Sequence, residues 1–225
     1  MKIFNKIFTR DQYFENQINR SNDKFGYCKV SYKHVLNWYN ILQKSNLGSL
    51  ENICCLGSRN GREIDLFRII FNNYKISRLV DLTEIRKDGW NNFLDFLLAY
   101  KRSTFINPIN QTNVYGVEIN PLAKRKDTFI GSFDELPKNW EKKYDLIYSN
   151  SFDQSMDPEK TAIEWKRILK NNGIIIFSFS YKKDPIESDP VGDLSHEDVL
   201  KLFGGELIYY NKFGSNYSDL ILRLN

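Results

Sequence analysis

Gly57 and Gly61, four positions apart, indicate a turn that can bind a ligand through its backbone. Residues 52–63 read N-I-C-C-L-G-S-R-N-G-R-E, so a short apolar run ends at one glycine and a second glycine follows four residues later. A tight turn from a strand into a helix exposes backbone N–H groups at the helix N-terminus, where they hold polar or anionic parts of a nucleotide-like ligand. We therefore expect four residues of this turn to bind such a ligand: Gly57, Ser58, Arg59 and Gly61.

A carboxylate ends the next apolar run of this kind. Residues 114–118 read V-Y-G-V-E, so a second short strand would end on Glu118. In nucleotide-binding α/β sheets, an acid at the end of the second strand accepts hydrogen bonds from ribose hydroxyls. The turn and Glu118 together predict a nucleotide-like ligand at one edge of a sheet.

Polar residues also follow the apolar run Y-D-L-I-Y at 144–148. Asn150 and Ser151 come directly after it, where ligands meet the carboxyl ends of parallel strands, and we expect both to contact a ligand. Asp153 and Gln154 come next and are the candidates for polarising a substrate.

Apolar patterns in the sequence predict the strands and helices that carry these residues. Short apolar runs predict strands at 52–56, 113–118, 127–130, 144–148, 174–179, 206–210 and 217–224. Helical spacing predicts helices at 31–44, 61–72, 158–169 and 195–203. Alternating strands and helices indicate a parallel sheet, and the short link between the last two strands requires an antiparallel pair. The predicted fold class is α/β, with a Rossmann-like, seven-stranded, mostly parallel sheet, an antiparallel last strand and helices on both faces.

The chain divides into two predicted regions. Residues 1–50 form an N-terminal helical cap, in which Ile3, Phe4, Ile7 and Phe8 would share one face of a small amphipathic helix. Residues 51–225 form the main domain. The segment 72–113 is too long for a helix-to-strand loop and predicts an insertion, with a helix at 90–100 and a strand or turn at 76–82.

Composition excludes several function classes. The chain has 225 residues, 41% of them hydrophobic, and a net charge of +4 that is scattered along the sequence, which favours a solvated surface over a nucleic-acid face. Three cysteines without a C-x-x-C pair, and two histidines, argue against a metal site. His34 and His196 are expected to pack or to lie on the surface. No apolar run reaches the roughly 20 residues of a membrane span, and we expect a cytoplasmic protein without a signal peptide.

Residues 50–225 resemble the class I S-adenosylmethionine-dependent methyltransferases. The turn at 56–61 looks like the loop that wraps the methionine part of the cofactor, and Glu118 in G-V-E-I-N-P looks like the acid that binds the ribose. The segment G-S-F-D-E-L-P at 131–137 looks like the one that flanks the adenine. Residues 144–151 and 165–173 look like the fourth strand and the turn into the fifth. The resemblance adds four cofactor-binding residues: Ile119, Ser132, Phe133 and Asp134.

Three positions depart from the family pattern. Cys55 stands where the family often has an acid, and Arg59 stands at the middle glycine of the loop, where it could pair with Glu63 or with the cofactor carboxylate. Ser132 replaces the acid beside the adenine, and Asp134 is the candidate substitute.

The resemblance implies an enzyme that uses S-adenosylmethionine to methylate a small molecule, a sugar or a lipid intermediate. Two alternatives stay open. The three departures are compatible with a cofactor-binding or scaffolding member without catalysis, and the basic balance is compatible with an RNA or protein methyltransferase.

Overall fold

The computed structural model of the protein describes residues 1–4, 9–45, 49–72, 112–181, 183–213 and 216–225. Within these residues, the strands are β1 (Lys2–Ile3), β2 (Asn52–Leu56), β3 (Asn113–Glu118), β4 (Thr128–Ile130), β5 (Tyr144–Ser149), β6 (Leu169–Ser180), β7 (Val191–Gly192), β8 (Glu206–Phe213) and β9 (Tyr217–Arg223). The helices described are α1 (Arg10–Asp23), α2 (Tyr32–Lys44), α3 (Arg62–Phe71), α4 (Pro158–Ile168) and α5 (His196–Phe203). The predicted insertion, including its helix at 90–100 and its strand or turn at 76–82, lies outside the described residues except at its two ends.

The main sheet of the described chain has seven strands in the order β4-β3-β2-β5-β6-β9-β8. Strands β4, β3, β2, β5 and β6 pair in parallel, whereas β9 runs antiparallel to both β6 and β8. Residues 214–216 are all that connect β8 to β9, and so short a link cannot make a parallel crossover. The structure therefore confirms the predicted fold class, including the antiparallel last strand.

The strand order reverses beside β2. The chain runs outward from β2 to β3 and β4, and then crosses back to place β5 on the other side of β2. Leu56 pairs with Ser149, so β2 and β5 end at the same level of the sheet. In open α/β sheets, ligands bind in the crevice outside the carboxyl ends of strands at such a reversal.

Apolar cores cover both faces of the sheet. Cys54 packs in one core with Trp165 of α4, and Cys55 packs in the other with Trp38 of α2 and Phe67 of α3. The adjacent thiols thus lie on opposite faces, as the alternation of side chains along a strand predicts. Burial raises the pKa of both thiols, which keeps them protonated and suits a packing role.

The start of the chain differs from the predicted amphipathic helix at Ile3, which lies in β1 and pairs with β7 in a separate two-stranded sheet. Ile7 and Phe8 of that predicted helix lie outside the described residues. Helix α1 follows, and its Thr9 and Gln12 form a capping box. Its buried side chains are Tyr13, Gln17 and Ser21. These stand four residues apart and therefore share one face, but two of them are fully polar, so hydrophobic periodicity did not reveal the helix.

The predicted helices at 158–169 and 195–203 are confirmed as α4 and α5, to within one residue at each end. The side chain of Asp157 caps α4, and Ser195 and Asp198 form a capping box at α5. Helix α4 passes directly into β6, where Asn172 takes the left-handed conformation with a φ of 59°.

Candidate functional site

The turn between β2 and α3 depends on its glycines. Gly57 and Gly61 have φ values of 78° and 77°, in the left-handed region that favours glycine. The backbone N–H of Gly57 donates to the carbonyl of Val117, 2.9 Å away. A Cβ atom added at Gly57 would lie 2.6 Å from the Cβ and Oγ atoms of Ser151. The turn therefore approaches both neighbouring strand ends so closely that another side chain at position 57 would be displaced.

Glu118 joins three parts of the structure at the end of β3. Glu118 is 6% exposed to solvent. Oε2 accepts a hydrogen bond of 2.6 Å from the backbone N–H of Arg59. Oε1 accepts from the N–H of Asn120 at 3.3 Å and from the hydroxyl of Ser21 on α1 at 3.4 Å. Burial raises the pKa of Glu118, although the two N–H groups oppose the shift.

A narrow cleft of about 30 Å³ lies beside Glu118. Six of the predicted cofactor residues and one predicted catalytic residue line it: Gly57, Glu118, Ile119, Ser132, Phe133, Asp134 and Gln154. Tyr13, Phe14 and Gln17 of α1 close it from the other side. This volume is about that of one water molecule, whereas ligand sites take roughly 300–1,000 Å³.

A main cavity of about 600 Å³ opens next to the narrow cleft. Six predicted residues line it: Gly57, Arg59, Asn150, Ser151, Asp153 and Gln154. Gly57 and Gln154 line the cleft as well, so the two spaces adjoin at these residues. Together they extend along the carboxyl edge of the sheet, from the end of β3 past the end of β2 to the end of β5.

Two predicted cofactor residues, Ser58 and Gly61, line neither space. Ser58 is 2% exposed, and its Oγ atom lies 2.6 Å from where a Cβ would stand at Gly116. The side chain is thus turned down towards β3, although the backbone N–H donates to the carbonyl of Val117 at 3.1 Å. Gly61 is covered by Arg125, which donates to its carbonyl at 3.1 Å. The roles of Ser58 and Gly61 in binding stay predictions.

Helix α4 packs against the loop at 131–137 and hydrogen-bonds to it. The indole N–H of Trp165 donates to the carbonyl of Phe133 at 3.1 Å, and the two rings pack edge to face with centroids 5.6 Å apart. Asp134 accepts hydrogen bonds from the hydroxyls of Thr161 and Ser132. Burial raises the pKa of Asp134, while these two bonds oppose the shift. Asp134 therefore orders this loop, in addition to lining the narrow cleft.

A charged cluster forms one wall of the main cavity. Lys183 lies 3.3 Å from an oxygen of Asp153 and also pairs with Asp189. Arg20 of α1 pairs with Asp189 through both of its terminal nitrogens. Burial and the charge of Asp189 raise the pKa of Asp153, against the effect of Lys183. At Asp189, burial acts in the same direction, but hydrogen bonds from Arg20 and Lys183 outweigh it and lower the pKa.

Sequence reasoning missed the residues that enter the site from outside the sheet. The cavity-lining residues of this kind include Arg20, Lys29, Lys183 and Asp189. Arg20 lies 169 positions from Asp189, and Lys183 lies 30 positions from Asp153, so no local spacing indicates these pairs. The polar repeat Tyr13, Gln17 and Ser21 is a signal that could have indicated a helix with a buried polar face.

The two histidines lie outside both spaces. His34 stacks on Trp38, with ring centroids 6.2 Å apart, and belongs to the capping box of α2. His196 stacks on Tyr210, with centroids 4.2 Å apart. Both side chains pack against neighbouring rings, in line with the roles expected from the sequence.

The described residues include no group of three or more His, Cys, Asp or Glu side chains that could hold a metal ion. No described helix combines the length and the apolar character needed to cross a membrane. The three cysteines are buried free thiols.

Comparison with known proteins identifies the fold. No family model and no curated protein matches the sequence. Solved structures do match. A 1,6-didemethyltoxoflavin-N1-methyltransferase from Burkholderia thailandensis is 11% identical, with a TM-score of 0.55 over 99% of this chain and 93% of that one. A SAM-dependent methyltransferase from Thermotoga maritima is 14% identical, with a TM-score of 0.51 over 95% and 99%.

A third solved structure with a similar fold is named as a cyclase rather than as a methyltransferase. The cyclase SpnF is 11% identical, with a TM-score of 0.55 over 95% of this chain and 94% of that one. At these identities the likeness concerns the fold. The chain has the fold of the class I S-adenosylmethionine-dependent methyltransferases, as the resemblance of its motifs led us to expect.

Proposed function

We propose that this chain, which has a class I methyltransferase fold, transfers a methyl group from S-adenosylmethionine to a polar small molecule, a sugar or a lipid intermediate. The observation that carries the proposal is the meeting of the glycine turn with Glu118 at the strand-order reversal, where the Arg59 N–H and the carboxylate lie 2.6 Å apart. The narrow cleft and the main cavity adjoin on either side of Gly57. A cofactor in one space can therefore face an acceptor in the other.

The residues present fit S-adenosylmethionine in type. Glu118 offers a carboxylate to ribose hydroxyls, and Ile119 and Phe133 offer apolar walls to an adenine ring. The narrow cleft is too small for that ring in the conformation described. Tyr13, Phe14 and Gln17 of α1 line this cleft opposite Glu118, so a cofactor bound there would displace these side chains.

Methyl transfer requires mainly that the methyl donor and the acceptor be held in line. Bound S-adenosylmethionine would supply a methyl group already activated by a sulfonium charge. Gly57 and Gln154 stand at the junction of the two spaces, where cofactor and acceptor meet. Positioning two reactants in line lowers the barrier even without a catalytic side chain. Asp153 lines the acceptor side, and its raised pKa makes it a better base near neutral pH than an ordinary aspartate.

The main cavity favours a polar acceptor. Its wall includes the cations Arg20, Lys29 and Lys183 and the anions Asp153 and Asp189. Burying an apolar chain against such groups would cost their hydration without giving partners in return. Among the three acceptor classes, a polar small molecule or a sugar suits this wall best.

A second candidate is cofactor binding without methyl transfer. The departures at Cys55, Arg59 and Ser132 and the closed narrow cleft favour it. The cyclase SpnF has the same fold, so the architecture is not restricted to proteins named as methyltransferases. Under this alternative the site would bind the cofactor and use the main cavity for another purpose.

Calorimetry with S-adenosylmethionine and with S-adenosylhomocysteine tests the proposal. Micromolar binding of both would support a cofactor site, and no binding at millimolar concentration would refute it. Incubation with polar candidate acceptors, followed by measurement of S-adenosylhomocysteine released, then separates the two candidates. Release that depends on the acceptor supports methyl transfer, and binding without release from any acceptor class favours the second candidate.

A further inference from the structure

Glu63 is a buried carboxyl group at the wall of the main cavity. It lies in the first turn of α3, directly after the glycine turn, and is 4% exposed. Burial raises the pKa of its carboxyl group to about 7, while its own backbone N–H, the thiol of Cys28 and the charge of Arg59 oppose the shift. The Oε2 atom has no hydrogen-bond partner among the described residues. An unpaired oxygen of a buried carboxyl group is costly, which indicates that a partner is supplied from elsewhere.

The other acids of the main cavity differ from Glu63. Within the described residues, the cavity is also lined by Asp23, Asp153 and Asp189. Asp153 and Asp189 are paired with Lys183, and Asp23 is exposed to solvent. Glu63 is therefore the buried acid of this wall for which the described structure shows no ion pair. A cation that enters the cavity next to the glycine turn would find its counter-charge here.

Arg59 supplies the opposite charge in the same wall. Its guanidinium donates to the carbonyls of Lys24 and Tyr27, at 3.4 and 3.3 Å, and its charge acts on Glu63. Both Arg59 and Glu63 line the main cavity. A fixed cation and a buried anion side by side complement a zwitterion, and the amino-acid end of S-adenosylmethionine is one.

The position agrees with the rest of the site. A ligand with its ribose at Glu118 must pass Gly57 to reach the main cavity, because Gly57 lines both spaces. Glu63 and Arg59 lie on the far side of that passage. We propose that Glu63 binds the α-ammonium group of the cofactor's methionine end. This inference rests on the proposed function and assigns a residue to one group of its cofactor.

The test compares ligands with and without the ammonium group. Binding of S-adenosylhomocysteine and of its analogue lacking the α-amino group is measured by calorimetry for the wild type and for Glu63→Gln. In the wild type, the deaminated analogue should bind roughly 10- to 100-fold more weakly, the range for a charged hydrogen bond. In Glu63→Gln, the two ligands should bind within about threefold of each other, since the carboxylate that distinguishes them is gone.

Two further variants separate recognition from folding. Glu63→Asp keeps the charge and should retain part of the preference for the amino group. Glu206→Gln removes the charge of an exposed acid on β8 that lines neither space, so it should keep the full wild-type preference. Binding of 5′-methylthioadenosine, which has no amino-acid part, should be the same in all four proteins and reports an intact adenosine site.

The outcomes distinguish this inference from the proposed function. If Glu63→Gln keeps the wild-type preference for the amino group, or weakens both ligands and 5′-methylthioadenosine equally, Glu63 does not bind the ammonium, and the proposed function stands. If the wild type binds none of the three ligands, the proposed function itself fails, and the inference fails with it.

Discussion

The backbone N–H of Arg59 and the carboxylate of Glu118 form a hydrogen bond of 2.6 Å that ties the glycine turn to the end of β3. The same carboxylate accepts a hydrogen bond from Ser21, near the end of α1. One buried acid thus connects the glycine turn, the end of β3 and helix α1, which lines the narrow cleft. A ribose that competes for this carboxylate would be coupled to the position of α1.

Substitution of Glu118 should separate its two roles. Glu118→Ala should weaken cofactor binding by about 1–3 kcal/mol and also lower the free energy of unfolding, because the Arg59 N–H loses a buried acceptor. Glu118→Gln retains an acceptor for that N–H, so it should lose affinity with a smaller loss of stability. Calorimetry and urea denaturation measure the two effects. Unchanged affinity in both variants would remove Glu118 from the binding site.

Alanine at the two glycines of the turn should have unequal effects. Both have nearly the same φ, so both variants carry the left-handed penalty of about 1–2 kcal/mol. Gly57→Ala also meets the Cβ atom of Ser151 at 2.6 Å, whereas Gly61→Ala meets the flexible end of Arg125. Urea denaturation should show a larger loss of stability for Gly57→Ala. Equal losses would mean that Ser151 yields without cost.

The pH dependence of stability should depend on Glu63. Burial raises its pKa from 4.5 to about 7 in the folded protein. The folded state then binds the proton of Glu63 more tightly than the unfolded state does. The protonated carboxyl group therefore adds to the free energy of unfolding fully below pH 4.5, and this addition is lost as the pH rises through 7. A pKa about 2.5 higher corresponds to about 3 kcal/mol.

Glu63→Gln lacks this dependence and checks it directly. Relative to the wild type, the variant should gain up to about 3 kcal/mol of unfolding free energy between pH 5 and pH 8. Urea denaturation of both proteins at the two pH values measures the difference. The same stability difference at both pH values would show that Glu63 titrates normally.

The contribution of Asp153 can be measured once an acceptor is known. Asp153→Asn should lower kcat by a factor of about 10² to 10⁴, the usual range for a lost general base, and leave cofactor affinity within about twofold. Glu206→Gln changes an exposed acid on β8 and serves as the control. A kcat for Asp153→Asn equal to that of the wild type would assign Asp153 to the charged cluster alone.

Helix α1 should control access to the narrow cleft. Phe14 lines the cleft and makes no hydrogen bond through its side chain, so Phe14→Ala should enlarge the space without leaving a polar group unpaired. We expect S-adenosylhomocysteine to bind several-fold more tightly, since less rearrangement of α1 is needed. Calorimetry measures the change. Weaker binding would instead indicate that the ring packs against the ligand.

Most of the sheet could be predicted because its strands have local signals. β2 and β3 were predicted to the residue, and β5 and β9 to within one residue at each end. Their buried runs are continuous in sequence, and the short link between β8 and β9 required an antiparallel pair. Helices α4 and α5 were predicted to within one residue at each end, because the helical spacing of their apolar residues is also a local signal.

The parts of the site that were missed depend on contacts between distant residues. Arg20 and Asp189 are 169 positions apart and meet only because α1 crosses the carboxyl edge of the sheet. The unpaired oxygen of Glu63 could not be inferred from its neighbours in sequence, because burial depends on what packs above the helix end. The buried side chains of α1 are mostly polar, so hydrophobic periodicity could not indicate this helix.

Most strand positions, the glycine turn and the carboxylate at position 118 could be predicted from the sequence, because each depends on the conformational preference or polarity of a few consecutive residues. What those residues face depends on how the whole chain folds. The tertiary structure placed α1 in the narrow cleft, paired Asp153 with a lysine and buried Glu63 without a counter-ion in the described residues. The electrostatic potential and the volume of a site depend on residues from all parts of the chain, which only folding brings together.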